Sequence, residues 1–273
     1  VKKTATGARS TDEEVLEKLA LDYPLPAKLL EHRSLSKLKG TYFEMKVDAD
    51  GRLRTSYNPV GTESGRLSSG QSLLGGGGNF QNMPKQFKVL LVADEGKVLL
   101  EFDLSQAENR CVAALGPDKA MMFAFNNGVD IHRHTFGLMF GKKAEEVSDE
   151  PFSCPFGDGS KSERAWGKMF NHALNYGMGA RTFALRVEIG EPDAKRLIDR
   201  YHQIYPGVRH GYQFGIQEQL KRDRCIRNPY GRVRKFYDRW GDELFKVAYA
   251  TMAQSIVADK INQNGLLEVW ENP

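Results

Sequence analysis

Residues 164–176 read RAWGKMFNHALNY, with Arg164, Lys168, His172 and Tyr176 at every fourth position. On an α-helix at about 100° per residue, each step of four advances about 40°, so the four side chains share an arc of about 120°. One helix face then carries two cations followed by two flat rings. A ligand with a charged tail and a planar head, such as a nucleoside triphosphate, suits that face.

The rest of the chain allows such a ligand. Its 273 residues suffice for one large domain or two modest ones, and an apolar fraction of 40% suits a globular protein. No window approaches the ~18 apolar residues of a membrane span, and the basic start VKKTATGARS lacks an apolar signal core. The chain reads as intracellular, with no membrane partner. Cys111, Cys154 and Cys225 are far apart and show no metal-ligand spacing. The opening at Val1 without an initiator Met, and the ending in ENP after a helical pattern, read as an excerpt of a longer protein.

The formal charge is only +4, but eight Lys or Arg fall between Lys221 and Arg239, against Asp223 and Asp238. Tyr230, Phe236, Tyr237 and Trp240 are interleaved with them. Such a run fits a polyanion, and equally a solvated basic face.

Local patterns order the elements. Thr11 is a plausible N-cap for a short helix over 12–20, and a second helix is expected from Leu25 to Leu38. Asp50-Gly51 between two alternating runs signals a hairpin over YFEMKVDADGRLRTSYN. The Gly- and Ser-rich residues 61–79 read as a loop, and Gly75–Gly78, followed by no Lys-Ser/Thr pair or helix, as a flexible connector. KVLLEFDLS at 97–105 reads as an apolar strand ending in Asp103, continued by a helix through QAENRCVAAL. Helices are expected over 118–141, from a capping box at Ser160 and Glu163, over 191–222 and over 241–265, with a turn and strand at 228–236. The sum is α+β.

Asp103, where an apolar strand runs out, would project its carboxylate toward solvent or a hard divalent cation. The competing reading is a simple cap for the helix that follows. Here a resemblance enters. DLSQAENR at 103–110 and RAWGKMFNHALNYG at 164–177 resemble motifs A and B of the family A DNA polymerases, Asp-x-Ser-Gln-x-Glu-x-Arg and Arg-x-x-x-Lys-x-x-x-Phe/Tyr-x-x-x-Tyr-Gly. LSKLKGTY at 35–42, SGRLSS at 64–69, NFQNMP at 79–84, DIHRHT at 130–135 and YATMAQS at 249–255 follow in the family's order. The fold implied is a right-hand palm with an antiparallel sheet, helical fingers and the end of the thumb. Residues 1–40 would close the thumb, 41–117 form palm with motif A, 118–222 form fingers, and 223–273 return to palm.

The resemblance also implies roles. Asp103 and the Leu104 carbonyl would hold two Mg²⁺ ions of a two-metal transfer of a deoxynucleotide to a primer 3′-hydroxyl. Glu108 would be the steric gate against a ribose 2′-hydroxyl, with Ser105 and Gln106 also at the nucleotide. Arg164 and Lys168 would grip the triphosphate, His132 would add a phosphate contact, and Tyr176 would stack at the templating position. Arg66, Gln81, Asn82 and Gln254 would read the minor groove near the primer end, with Asn79 and Arg232 also on DNA and Lys37 and Lys39 on backbone phosphates. Primer-template DNA and dNTPs are the partners implied.

Two departures stand out. His172 occupies the place of the family's stacking Phe or Tyr; it either contacts the nucleotide or packs as a core histidine. Motif C, a His-Asp-Glu hairpin about thirty residues beyond Gln254 in the family, is not reached before the chain ends. Glu268 and Glu271 lack flanking apolar strands and read as surface charges. The isolated chain is therefore expected to catalyse little. A single-subunit RNA polymerase shares the Arg/Lys/Tyr helix but keeps the gate position small, which Glu108 is not. A DNA-binding module that lost its chemistry is the rival from another class.

Overall fold

The Arg164 stretch is helical, for reasons readable in its own residues. Helix formation starts where Ser162 Oγ accepts the amide of Ala165 at 3.0 Å. Glu163 follows in the first turn, where the helix dipole favours a negative charge. Trp166, Phe170, Ala173 and Leu174 recur at the spacing of one buried face. Each of the three large side chains contributes about 2 kcal/mol by burial.

The computed structural model describes residues 7–20, 23–156 and 159–271. Two compact units divide the chain: Val1–Pro59 with Leu67–Glu101, and Val60–Arg66 with Phe102–Pro273.

The first unit holds α1 (Glu13–Ala20), α2 (Pro24–Leu38) and the single turn α3 (Lys85–Lys88), with the antiparallel ribbon β1 (Ser56–Asn58) and β2 (Ser68–Gly70). Phe87 is buried, with its ring 5.4 Å from Tyr42 and 5.0 Å from Phe43. Three sequence expectations are corrected here. Asp12, not Thr11, caps α1, accepting from Val15 N at 3.1 Å. The Asp50-Gly51 turn forms, with Asp48 N bonded to Arg52 O, but Tyr57 pairs with Ser69 instead of across that turn. The glycine run is a packed segment, not a loose connector. A Cβ at Gly77 would lie 1.6 Å from Arg54 O, and Gly77 N donates to Lys46 O at 2.7 Å. Two backbones approach there closer than any side chain permits.

The second unit is mainly helical: α4 (Ala107–Leu115), α5 (Lys119–Asn126), α6 (Ile131–Phe140), α7 (Glu163–Asn175), α8 (Ala180–Val187), α9 (Glu191–Ile204), α10 (Phe214–Asp223), α11 (Asp242–Ile261) and α12 (Leu267–Glu271). The ribbon of β3 (Cys225–Arg227) and β4 (Val233–Lys235) lies between α10 and α11, and a π-helical turn, Val208–Gln213, leads into α10. Its core joins Val112, Met121, Ile131, Phe170, Phe183, Tyr201, Tyr205, Tyr212 and Leu220, all nearly inaccessible. The arrangement agrees with the α+β expectation.

Two further expectations differ, one for a segment that runs from the first unit into the second and one within the second unit. Residues 97–105 form no strand, and Val98, Leu99, Leu100 and Phe102 are exposed. A strand exists only through a ladder, and no partner strand for this segment is present among the described residues. The helix expected from Ser160 begins at Glu163, capped by Ser162. Helix α8 had no sequence expectation. No helix among the described residues is long and apolar enough to cross a membrane.

Helices α6 and α7 pack closely, and Gly167 is the reason. A Cβ there would stand 2.0 Å from the carbonyl oxygen of His132. The first turn of α6 therefore presses directly on α7 at Gly167, about 60° around the helix from Arg164.

Candidate functional site

The centre of the arrangement is a residue that sequence reading passed over. Asp130 caps α6, its Oδ1 accepting the amides of His132 at 2.9 Å and Arg133 at 3.0 Å. Its Oδ2 accepts from Gln106 Nε2 at 2.9 Å and from Arg164 Nη2 at 2.9 Å and Nε at 3.2 Å. One carboxylate thus joins the segment around Asp103, the start of α6 and the start of α7. Bonds from the Arg133 amide and the Arg164 guanidinium outweigh burial and hold the Asp130 carboxyl below its usual range. The Asp-Ile-His start of α6 carried the signal: an Asp directly before an apolar helix is an N-cap, and its second oxygen stays available.

Gln106 sits at the N-cap of α4 with φ of 55°, a left-handed conformation that costs a non-glycine residue energy. Its side chain offsets that cost, donating to Asp130 and accepting from Ile131 N at 3.2 Å. The sharp turn leaves Asp103 and Leu104 exposed ahead of α4. Asp103 has no hydrogen bond or ion pair among the described residues, so the helix-cap reading of its carboxylate does not hold. Ser105 gives its backbone carbonyl to Arg110 Nε at 3.1 Å.

The same two segments meet again one turn later. Glu108 Oε1 accepts from Arg66 Nη2 at 2.6 Å, and its Oε2 accepts the hydroxyl of Tyr176. Burial, and then the Glu108 charge beside it, push the Tyr176 phenol far above its ordinary pKa. In depth, Asn175 Nδ2 donates to Asn109 Oδ1 at 2.8 Å. The expected gate residue is therefore held on both sides, by the residue expected at the minor groove and by the one expected at the template.

On α7, Arg164 is engaged by Asp130, with Asp149 at 3.8 Å from Nη1. Lys168 is exposed and has no bond or ion pair among the described residues. His172 is half-buried, and burial keeps its pKa below the ordinary histidine value. Its ring centroid lies 6.2 Å from that of His132, which is buried at 4% exposure and pushed down to about 4, chiefly by burial. Both imidazoles are neutral near pH 7. The expected order of cations and rings along one face is present.

The remaining expected DNA contacts are divided. Arg232 is committed to buried Asp259, through Nη2 at 2.7 Å and Nε at 3.0 Å, a pair that argues for a structural role. In the same basic run, Arg234 pairs with Glu63 and Arg224 with the carbonyls of Phe236 and Asp238. The run is thus partly internal rather than a continuous basic face. Gln254 stands on α11, partly exposed. In the first unit, Lys37 and Lys39 are exposed, Lys39 lying 3.7 Å from Glu44. Asn79 caps the 3₁₀ turn Phe80–Asn82 through its Oδ1, and Gln81 donates to Leu67 O at 3.0 Å. Asn82 lends its backbone carbonyl to Tyr42.

As to a metal, the described residues contain no group of three or more His, Cys, Asp or Glu arranged to hold an ion. Asp103 and the Leu104 carbonyl can supply oxygen ligands to a hard cation, but they do not make a complete cage.

The comparisons place this geometry. The model of DNA polymerase family A matches residues 1–261. DNA polymerase I of Pseudomonas aeruginosa is 37% identical over 241 residues, which cover 84% of this chain and 24% of that protein. The thermostable DNA polymerase I of Thermus aquaticus is 33% identical over 243 residues, 85% of this chain and 27% of that one. The chain thus spans about a quarter of the length of these relatives. Among solved structures, the POL domain of Pol1 from M. smegmatis, in complex with DNA primer-template and dNTP, matches with a TM-score of 0.81 and 28% identity, over 96% of this chain and 46% of that one. With the α+β fold, the joined motif segments and the family model in agreement over nearly the whole chain, this protein belongs to DNA polymerase family A.

Proposed function

We propose that this chain is the nucleotide- and primer-template-binding part of a polymerase that performs template-directed DNA synthesis, adding deoxynucleotides to a primer 3′-hydroxyl. The observation that carries the reading is the junction of the two motif segments, through Asp130 between Gln106 and Arg164 and through Glu108 with Tyr176. It brings an acidic turn beside a helix face of cations and rings. In this reading Lys168 meets the triphosphate directly, and Arg164 joins it by exchanging Asp130 for phosphate oxygens. Ser105, Gln106, His132 and His172 line the nucleotide, and Glu108 occupies the space a 2′-hydroxyl needs. Tyr176 faces the templating base, and Arg66 and Gln254 reach the minor groove; within the first unit, Asn82, Lys37 and Lys39 are the DNA contacts of this reading. The thumb, palm and fingers boundaries given above are part of the proposal.

Polymerases of this family use divalent metal ions. We take Mg²⁺ as the ion, with Asp103 and the Leu104 carbonyl as this chain's ligands to a pair of ions. Such ions, when bound, stabilise charge on the transferring phosphoryl group.

The test is primer extension on primed DNA with Mg²⁺ and each class of nucleoside triphosphate, by this chain and by a version continued through a His-Asp-Glu hairpin. Extension with dNTPs by the longer chain, abolished by Asp103→Ala, supports the reading. Binding of primed DNA by both chains, with no extension by either, would make this a DNA-binding module.

A further inference from the structure

We infer that Arg232 is a positioning residue for Arg66: its guanidinium, fixed by Asp259, is the surface on which the turn before Arg66 rests, and it thereby sets the arginine that holds Glu108. As a statement about DNA this rests on the function proposed above; as a statement about Arg66 it does not. Every residue in the argument belongs to the second unit.

Asp259, on α11, is buried at 4% exposure, and both its oxygens are engaged. Oδ1 accepts Arg232 Nη2 at 2.7 Å, and Oδ2 accepts Arg232 Nε at 3.0 Å and Asn228 Nδ2 at 2.7 Å. The Asn228 amide has one orientation, because its Oδ1 accepts the backbone amides of Tyr230 and Arg232, each at 3.0 Å, and backbone amides only donate. A carboxylate paired in this way holds the guanidinium in one plane, since the planar fork matches its two oxygens. Lysine in place of Arg232 would keep the charge and lose the plane.

That plane lies against Gly65. A Cβ on Gly65 would fall 2.6 Å from Arg232 Nη2 and 2.7 Å from Nε, so the guanidinium occupies the space a side chain would need. Gly65 is buried and has φ of 78°, the left-handed region that glycine adopts without strain. Its amide donates to Thr62 O at 3.2 Å, and the Thr62 hydroxyl donates to Arg66 O at 2.6 Å, which closes residues 62–66 into a turn. Two more bonds tie this turn down: Asn262 Nδ2, at the end of α11, donates to Gly65 O at 3.1 Å, and Arg234 pairs with Glu63. The backbone leading into Arg66 thus has three anchors outside itself, and Arg232 is the one it packs upon.

Arg66 is half exposed, and its Nη2 donates to Glu108 Oε1 at 2.6 Å, while Glu108 Oε2 takes the Tyr176 hydroxyl. An exposed ion pair is weak by itself, because holding two long side chains in one geometry costs entropy. A backbone fixed at one end removes part of that cost. Arg232 therefore acts on the Glu108–Tyr176 pair at one remove, through the turn. Its side chain is 37% exposed, so a direct contact with a DNA phosphate is the rival reading, and the test separates the two.

The test is the guanidinium region of the ¹⁵N–¹H spectrum of this 273-residue chain labelled with [¹⁵N]arginine. The Arg66 Nε–H signal is assigned by its loss in Arg66→Gln. Glu108→Gln, which removes the charge that Arg66 pairs with, marks where the signal of a released Arg66 falls. Arg232→Lys is expected to move the Arg66 signal toward that position, while Lys235→Gln, a change to an exposed cation of the same ribbon, leaves it in place. An Arg66 signal unmoved in Arg232→Lys overturns the inference. Should Arg232→Lys not fold, Asn262→Ala, which removes the bond to Gly65 O from a half-buried helix end, is expected to move the signal the same way, and no movement there overturns the inference equally. Binding of primed DNA, followed by fluorescence anisotropy, is the second arm. Arg66→Ala is expected to weaken it about 10-fold, the loss of one charge-assisted hydrogen bond, Arg232→Lys by less, and the double variant by no more than Arg66→Ala alone. Effects that multiply in the double variant, or wild-type binding by Arg232→Lys where Arg66→Ala is weakened, overturn the inference; the second is what a direct phosphate contact gives, since lysine keeps the charge. Wild-type binding by Arg66→Ala, beside a moved signal in Arg232→Lys, keeps the role of Arg232 and counts against the minor-groove reading.

Discussion

Lys168 and Asp103 are exposed and free of partners, while Asp130 gathers five bonds from four residues. That contrast separates binding from folding. Asp103→Ala and Lys168→Ala should each leave stability within about 0.5 kcal/mol of wild type, because exposed side chains without partners lose little. Lys168→Ala should weaken dNTP binding about 10- to 100-fold, the loss of one charge-assisted contact of about 1.5–3 kcal/mol. Fluorescence titration with dNTP beside urea denaturation measures both, and unchanged affinity would remove Lys168 from the triphosphate. Asp130→Ala should instead destabilise by about 2–3 kcal/mol, losing an N-cap and stranding Arg164 and Gln106. Much of this site is legible in the sequence, since side chains four apart on a helix must share a face. Asp130 is not, because its importance lies in partners brought from two other segments, Gln106 and Arg164. Arg232 misleads for the converse reason: the charge is visible in sequence, and the buried Asp259 that takes it up lies on α11.

At the scale of elements, the helices follow from local signals, and the errors are those that local signals permit. The expected start of α7 falls three residues early because Ser160 and Ser162 both precede acidic residues, and only the packed structure selects Ser162. The strand expected over 97–105 fails more deeply, since a helix carries its hydrogen bonds within itself and a strand borrows them from distant residues. The contact of α6 with α7 is the element-level feature on which the site depends. Gly167→Ala places a methyl 2.0 Å from His132 O, so the helices must separate or shift. The expected cost is about 2–3 kcal/mol, despite alanine's better helix propensity, because overpacking of a close backbone contact outweighs a gain of about 1 kcal/mol. Thermal denaturation of Gly167→Ala would report the cost, and a variant as stable as wild type would contradict the close approach.

Across the whole molecule, the buried histidines make stability depend on pH in a defined direction. Burial lowers the pKa of His132 and of His202 to about 4, against about 6.5 in an unfolded chain. Between these values the unfolded chain binds more protons than the folded one, so stability is full above about 6.5 and is lost as pH falls toward 4. Each histidine contributes a limiting slope of about 1.4 kcal/mol per pH unit. Two of them give a loss of about 2–3 kcal/mol between pH 7 and 5.5. The carboxyls of Asp130 and Asp259 are held below the usual range, Asp259 by Arg232 and Asn228, so their contribution is lost only at still lower pH. His134 and His172 shift in the same direction as His132 and add to the slope. Urea denaturation followed by the fluorescence of buried Trp166, at several pH values from 7.5 to 5, measures the effect. His202→Gln removes one of the two large contributors, distant from the Asp130 junction in sequence, and should flatten the profile by roughly half. A wild-type profile that is level across this range would mean that both imidazoles reach solvent in the folded state. It would also remove the burial that keeps His132 neutral beside Arg164 and Lys168.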